Sequence, residues 1–303
     1  MDDAWAGQRI DNFLLRWAKG VPSSHVYRIL RAGEVRVNRK RVSADYRLMA
    51  GDILRLPPLR EAAPSAMPQT AGQEFPVVHE DETLLVIDKP AGVAVHGGSG
   101  VASGVIEQLR RARPHQRFLE LAHRLDRETS GLLLLAKKRA VLVGLHSLFR
   151  EGRVEKHYQA LVSGRFRNPL QNIRLPLTRT LNQHGEREVL VDAQGRFAHS
   201  IVRRERIATR HDQFWSLIDV ELKTGRTHQI RVHLAHLGHP LAGDDKYGNR
   251  VNNTLLRQQG LKRMFLHAGA LDFVHPATQQ TLSLRAPLPL ELSRFLATLQ
   301  DPL

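Results

Sequence analysis

An α+β fold with a mixed, largely antiparallel sheet is what this sequence predicts. Two observations carry the prediction. Apolar runs of strand length recur at residues 84–87, 93–95, 132–136, 158–162 and 214–222, with helical patterns between them at 105–113, 141–150 and 290–299. Their order is neither a regular strand–helix alternation nor all-β, which disfavours both a doubly wound parallel sheet and a sandwich. A third observation divides the chain: a stretch rich in Pro, Ala and small polar residues over 59–76 separates a small module, 1–58, from a large one, 77–303.

The first module reads as two helices followed by short strands. Ile10, Phe13, Leu14 and Trp17 recur at helical spacing and give one apolar face. Ser23 or Ser24 can cap a second helix whose Val26, Ile29 and Leu30 face inward, and Gly33 suits its left-handed exit. A hairpin is expected where Val35-Arg36-Val37 and Arg41-Val42 flank Asn38-Arg39-Lys40, and Ala50-Gly51-Asp52 turns into a strand over 53–56. On this frame Arg28 and Arg31 stand one helical turn apart, next in sequence to Arg36, Arg39, Lys40 and Arg41. They form one basic edge suited to phosphate contacts, which supply affinity and orientation but little sequence information.

The 59–76 stretch is expected to be an extended, semi-stiff tether. Within the large module, Gly97-Gly98-Ser99-Gly100 reads as a flexible turn, because no Gly-Lys-Ser/Thr follows to make it a phosphate loop. Thr227 is placed to cap a helix in which Ile230, Leu234 and Leu237 form the buried stripe and Gly238 ends it. Arg231 then stands beside that stripe near the first turn and can reach into a cleft.

Composition narrows the function. The chain has 303 residues, 42% of them apolar and 25% charged, as in ordinary soluble proteins. Its 45 Lys and Arg against 30 Asp and Glu leave a net charge of +15, which points to a polyanionic partner. The absence of cysteine excludes disulfides, thiolate zinc sites and thiol nucleophiles, and so disfavours the cysteine-dependent C5 methylation of pyrimidines. No apolar run approaches the roughly 20 residues of a membrane helix, and residues 1–8 lack a signal-peptide layout, so a cytoplasmic protein is expected.

The most informative string is His123-Arg124-Leu125-Asp126-Arg127-Glu128-Thr129-Ser130-Gly131, directly before the apolar strand. Asp126 has arginines on both sides, and nearby positive charge favours the ionised carboxylate that can attack or take a proton. A second string, Gly225-Arg226-Thr227-His228-Gln229-Ile230-Arg231-Val232-His233, continues through Gly238-His239-Pro240-Leu241 to Gly243-Asp244-Asp245-Lys246-Tyr247-Gly248. Its histidines, His228, His233, His236 and His239, invite a metal reading. Only His233 and His236 share a favourable helical spacing, with no acidic cluster on the same turn, so no metal is expected. Asp244 and Asp245 are expected to close a turn.

Together the two strings resemble the motifs of the RluA family of RNA pseudouridine synthases. That resemblance implies a long bent sheet with a central cleft, and Asp126 as the essential catalyst, either as nucleophile or as the base that removes a ribose proton. It implies Arg231 as the basic partner of Asp126, and Arg124 as the residue inserted beside a flipped nucleotide. It also implies Tyr158, in Lys156-His157-Tyr158-Gln159, as the active-site tyrosine, and Leu266, in Phe265-Leu266-His267-Ala268, as an apolar pocket wall. The aromatic ring of Tyr158 can stack on uracil and its hydroxyl can relay a proton. The first module resembles the S4 RNA-binding domain, including its Gly33-Glu34-Val35-x-Val37-Asn38 step and closing Gly51-Asp52.

Within the family, Gly7-Gln8-Arg9-Ile10-Asp11-Asn12-Phe13-Leu14 and His96-Gly97-Gly98-Ser99-Gly100 look most like its C-type branch, which modifies several uridines of large-subunit ribosomal RNA. The implied activity is isomerisation of uridine to pseudouridine in 23S rRNA or its assembly intermediates. No cofactor is required, because no electrons, phosphoryl groups or methyl groups are exchanged. A monomer without an obligatory protein partner is expected. The rivals are a catalytically silent S4 and synthase-like protein of ribosome assembly, and a synthase acting on tRNA. A kinase-like reading of His-Arg-Leu-Asp fails, because Leu125 interrupts the order and no Asp-Phe-Gly follows.

Overall fold

The computed structural model describes residues 5–18, 21, 23–58, 72–97, 103–181 and 186–301. Most of the expected tether (59–71), the turn residues 98–100 and the side chain of Ser23 lie outside them. The chain forms two compact units, Met1–Ala71 and Gly72–Leu303.

In the first unit α1 (Ile10–Trp17) and α2 (Ser23–Ala32) pack on a three-stranded antiparallel sheet of β1 (Arg36–Val37), β2 (Lys40–Arg41) and β3 (Leu54–Arg55), in the order β2-β1-β3. Ile10, Leu14, Val26, Ile29 and Val35 are fully buried between the layers. Trp17 departs from expectation. It is 53% exposed at the last turn of α1, where its ring lines a shallow groove with Val21, Leu54 and Leu56. The β1–β2 turn puts Asn38 and Arg39 both at positive φ (49° and 67°), which matches the twist of a two-residue hairpin. Asp52 closes the following loop by accepting from the Met49 amide, the Asn38 side chain and the Tyr46 hydroxyl.

The second unit is built on one ten-stranded sheet. Its strands are β4 (Val77–Glu80), β5 (Leu84–Lys89), β6 (Glu120–Leu121), β7 (Ser130–Ala136), β8 (Glu155–Ser163), β9 (Leu170–Ile173), β12 (Ser200–Arg210), β13 (Gln213–Leu222), β14 (Leu266–Val274) and β15 (Thr281–Arg285). A separate hairpin pairs β10 (Leu177–Leu181) with β11 (Arg187–Val191). The main order is β4-β5-β7-β14-β8-β13-β12-β9, with β6 on β7 and β15 on β14. Every pairing is antiparallel except β7–β14, so the sheet is mixed as the sequence predicts.

Helices α3 (Val105–Ala112), α4 (Arg139–Arg150), α5 (Gln229–His236), α6 (Arg250–Gln258) and α7 (Leu290–Leu296) cover the sheet. All seven residues of β7 are buried, which explains its continuous apolar run in place of alternation. The parallel β7–β14 junction is very close. Gly131 has φ +114°, and a Cβ there would lie 2.2 Å from the Ala268 carbonyl oxygen.

Two expectations fail here. Residues 93–95 form no strand, because the chain bends after β5 and turns the Val93 carbonyl onto Lys89 Nζ (2.9 Å). Thr227 does not cap α5. The N-cap is His228 in the left-handed conformation (φ 53°), with no capping side chain. Ile230 and Leu234 are buried as expected and Gly238 ends the helix at φ +80°, while Leu237 is only partly covered.

Candidate active site

The site forms where the loop before β7 meets the start of α5 over the middle of the sheet. Leu125 and Thr129, both nearly fully buried, fix the loop on either side of Asp126, and the Thr129 amide donates to the Asp126 carbonyl (3.2 Å). The loop is clipped to the turn after β5 in both directions. The Gly92 amide donates to the Arg127 carbonyl, and Arg127 Nε donates to the Gly92 carbonyl, each at 2.9 Å.

Lys89 completes that clip from beneath. Its side chain is fully buried, and Nζ donates to the carbonyls of Pro90 (2.7 Å), Val93 (2.9 Å) and Arg127 (3.1 Å). Burial pulls its pKa down to about 7. Sequence reasoning passed over Lys89; its signal was a lysine ending an otherwise apolar strand just before Pro90. On the other flank Arg263 Nη2 donates to the Glu128 carbonyl, the Ser130 hydroxyl and the Leu266 carbonyl, tying the loop to the start of β14.

Asp126, Arg124, Tyr158, Arg231 and Leu266 all line one cavity of about 150 Å³. Tyr158 sits mid-sheet on β8, opposite Val220 of β13 and Ala268 of β14. Its ring packs among Leu266, Leu222 and Ile230. Burial, reinforced by the Asp126 charge, pushes the phenol well above its ordinary pKa, so the hydroxyl stays protonated at neutral pH.

Arg231 Nη1 stands 3.3 Å from an Asp126 carboxylate oxygen. The arginines flanking Asp126 do not supply its counter-charge. Arg127 turns to Gly92 and Glu128, and Arg124 is exposed at the cavity wall. The firmer partner of Arg231 is Asp244, which accepts from Nε and Nη2 at 2.8 Å each and is 1% exposed. Asp244 does close the expected turn, accepting the Lys246 and Tyr247 amides, and it also anchors Arg231. Burial opposes both charges, but the pair outweighs it. Arg231 is held above its ordinary value and Asp244 below.

His228 lines the same cavity, and the Tyr247 ring packs edge-on against it. The Tyr247 hydroxyl accepts from the Val189 amide (3.1 Å) and shares a 2.8 Å hydrogen bond with His228 Nδ1. Burial lowers the His228 pKa against the pull of Asp126, keeping the ring neutral. His228 Nε2 lies 3.9 Å from an Asp126 carboxylate oxygen. His233 belongs to the core, bonded to the Ser200 hydroxyl and the Leu175 carbonyl, and His239 bonds the Ser163 carbonyl. The helix histidines thus face separate partners.

In the first unit Arg28, Arg31, Arg39, Lys40 and Arg41 are exposed and Arg36 is half-buried. Arg28 pairs with Glu34 (3.0 Å), and the Arg41 guanidinium lies where a side chain at Gly33 would project. The sheet register lines up Arg41, Arg36 and Arg55 across all three strands. Like charges directly opposite one another destabilise a sheet, so this rung favours an anionic partner.

Residues 83–236 match the family described as RNA pseudouridylate synthase, and residues 8–54 match the S4 domain. The chain is 48% identical over 302 residues to the ribosomal large subunit pseudouridine synthase C of Pasteurella multocida, covering 98% of this chain and 91% of that one. It is 47% identical over 304 residues to the protein of the same name from Escherichia coli K12, covering 98% and 94%. Among solved structures, human RNA pseudouridylate synthase domain containing 1 aligns with a TM-score of 0.60 at 25% identity, over 78% of this chain and all of that one. Human RNA pseudouridylate synthase domain containing 4 aligns with a TM-score of 0.58 at 26% identity, over 75% and 95%.

Proposed function

The chain belongs to the RNA pseudouridylate synthase family and carries an S4 domain, and on that premise we propose that it isomerises uridines of large-subunit (23S) ribosomal RNA to pseudouridine. The observation that carries this reading is the convergence of Asp126, Tyr158 and Arg231 on one small cavity. Residues 1–58 serve as the RNA-binding module and 77–303 as the catalytic one. The enzyme works as a cytoplasmic monomer.

The reaction breaks the bond between N1 of uracil and C1′ of ribose, turns the base, and joins C5 to C1′ with loss of the C5 proton. Uracil must first leave its stack, at a cost of about a few kcal/mol, and Arg124, exposed at the rim, fills the vacated position. The extruded base lies against the Tyr158 ring, with Leu266 and Ile230 excluding water. Asp126 supplies the carboxylate for either route, attack on carbon or abstraction of a ribose proton. Both routes need an anion held still in a sparsely hydrated pocket, and Arg231, itself fixed by Asp244, compensates that charge at 3.3 Å. Overall the C5 proton is lost as N1 gains one, and Tyr158, still protonated, relays it by giving up its own hydroxyl proton as it takes the one from C5.

Mapping pseudouridine by chemical labelling in cells that lack this gene, restored with wild type or Asp126→Asn, tests activity and target together. Wild type restores the modified sites and the variant restores none, while the purified variant still binds the RNA. Restoration by Asp126→Asn refutes the assignment.

A further inference from the structure

A second cavity, of about 340 Å³, adjoins the first and shares Arg179, Gly225, Arg226 and Thr227 with it. Its floor is the β10–β11 hairpin, through Leu177 and Val189, and its far wall is Arg196. Arg196 is held by backbone pairing with Leu177, its amide donating at 2.8 Å and its carbonyl accepting at 2.9 Å. Three arginines therefore face one hollow, and among the described residues no carboxylate lines it.

Among the described residues each guanidinium is aimed yet retains free donors. Arg226 Nε donates to the Phe197 carbonyl (3.0 Å), leaving both terminal nitrogens open. Arg179 Nη2 donates to the Thr227 hydroxyl, leaving Nε and Nη1. Arg196 makes no side-chain hydrogen bond or ion pair among the described residues. Three like charges around a hollow repel one another until an anion enters, and the planar donor fork of arginine matches phosphate oxygens.

We propose that this cavity is a phosphate subsite that takes the RNA backbone linkage flanking the target nucleotide. The inference rests on the synthase reading above. Because the two cavities share a wall, a phosphate held by Arg179, Arg196 and Arg226 belongs to a nucleotide next to the one in the catalytic pocket. The contact fixes register and strand direction without reading a base, leaving the flanking sequence unconstrained at that point.

The test uses the full-length protein and an unmodified large-subunit ribosomal RNA transcript. Binding is titrated across a salt series for wild type, R196A, R226A and the double variant. Each lost phosphate contact should flatten the dependence of log Kd on log salt by about 0.7–0.9 and weaken binding about tenfold. Phosphate-ethylation interference on the same transcript should show a blocking phosphate within a nucleotide or two of each converted uridine in wild type, and its loss in the double variant. R196A carries the test if the double variant does not fold, because Arg196 is exposed. An unchanged salt slope, or an unchanged interference pattern in a folded variant, overturns the subsite. Failure of wild type to form pseudouridine in that transcript instead overturns the proposed function, while the slope still reports on the anion site.

Discussion

Arg231 touches Asp126 through Nη1 alone, at 3.3 Å, because Asp244 occupies its Nε and Nη2 at 2.8 Å each. The Asp126 carboxylate thus has a counter-charge whose position it does not set. On the proposed mechanism, a guanidinium shared in this way can stay in place while Asp126 changes its bonding, because the buried Asp244 keeps the arginine oriented throughout.

Asp244→Ala separates that anchoring role from direct chemistry. It leaves the Arg231 charge buried without its principal partner, which costs about 3–5 kcal/mol of stability. Urea denaturation should show this loss, and kcat on ribosomal RNA should fall about 10²-fold in the protein that remains folded. A variant with wild-type stability and rate would show that the pair has no anchoring role.

Tyr158→Phe keeps the ring and removes only the hydroxyl. If the ring supplies stacking and the hydroxyl relays the C5 proton, KM stays within about threefold while kcat falls about 10²-fold. Single-turnover kinetics distinguish the two roles. An undiminished kcat would leave stacking as the whole contribution of Tyr158.

Lys89 predicts a particular dependence of stability on pH. Its folded-state pKa, near 7, lies below the ordinary lysine value of 10.5, so the amine takes up a proton on unfolding throughout the interval between them. Stability from this group therefore rises as pH climbs from about 7 toward 10. Denaturation midpoints of wild type minus those of Lys89→Met should show this rise, and a flat difference would mean that the three carbonyls keep Lys89 charged. The same substitution removes one of the two donors to the Arg127 carbonyl and should slow catalysis.

Replacing Arg31, Arg39, Lys40 and Arg41 by alanine tests the first unit. All four are exposed, so the fold should persist, while the slope of log Kd against log salt should flatten by about 2–4. Filter binding at several salt concentrations measures it. An unchanged slope would assign the basic edge to solvation alone.

Where charge and spacing are local, the sequence was legible. Asp126 and Arg231 stand in short strings whose residue types already suggest an acid and its cation, and the buried runs of β5, β7 and β13 announce themselves by composition. The role of Asp244 was half legible. Gly-Asp-Asp-Lys-Tyr-Gly does close a turn, but the contact to Arg231 spans 13 residues and depends on burial created by the assembled sheet. The missing strand at 93–95 has a similar origin. Its apolar residues favour β structure locally, but the chain turns the Val93 carbonyl onto Lys89 Nζ, and this tertiary contact overrides propensity. The β10–β11 hairpin escaped notice because β10, Leu177-Thr178-Arg179-Thr180-Leu181, is short and half polar.

Gly131 gives the molecule a weakness that lies in its backbone. It lies five positions beyond Asp126 at the parallel seam between β7 and β14, where even a methyl group would collide with the Ala268 backbone. Alanine there would wedge β7 from β14 and, with them, the loop bearing Asp126 from the strand bearing Leu266. Crowding between two strands therefore leaves room for glycine alone at this position, before any demand of chemistry applies.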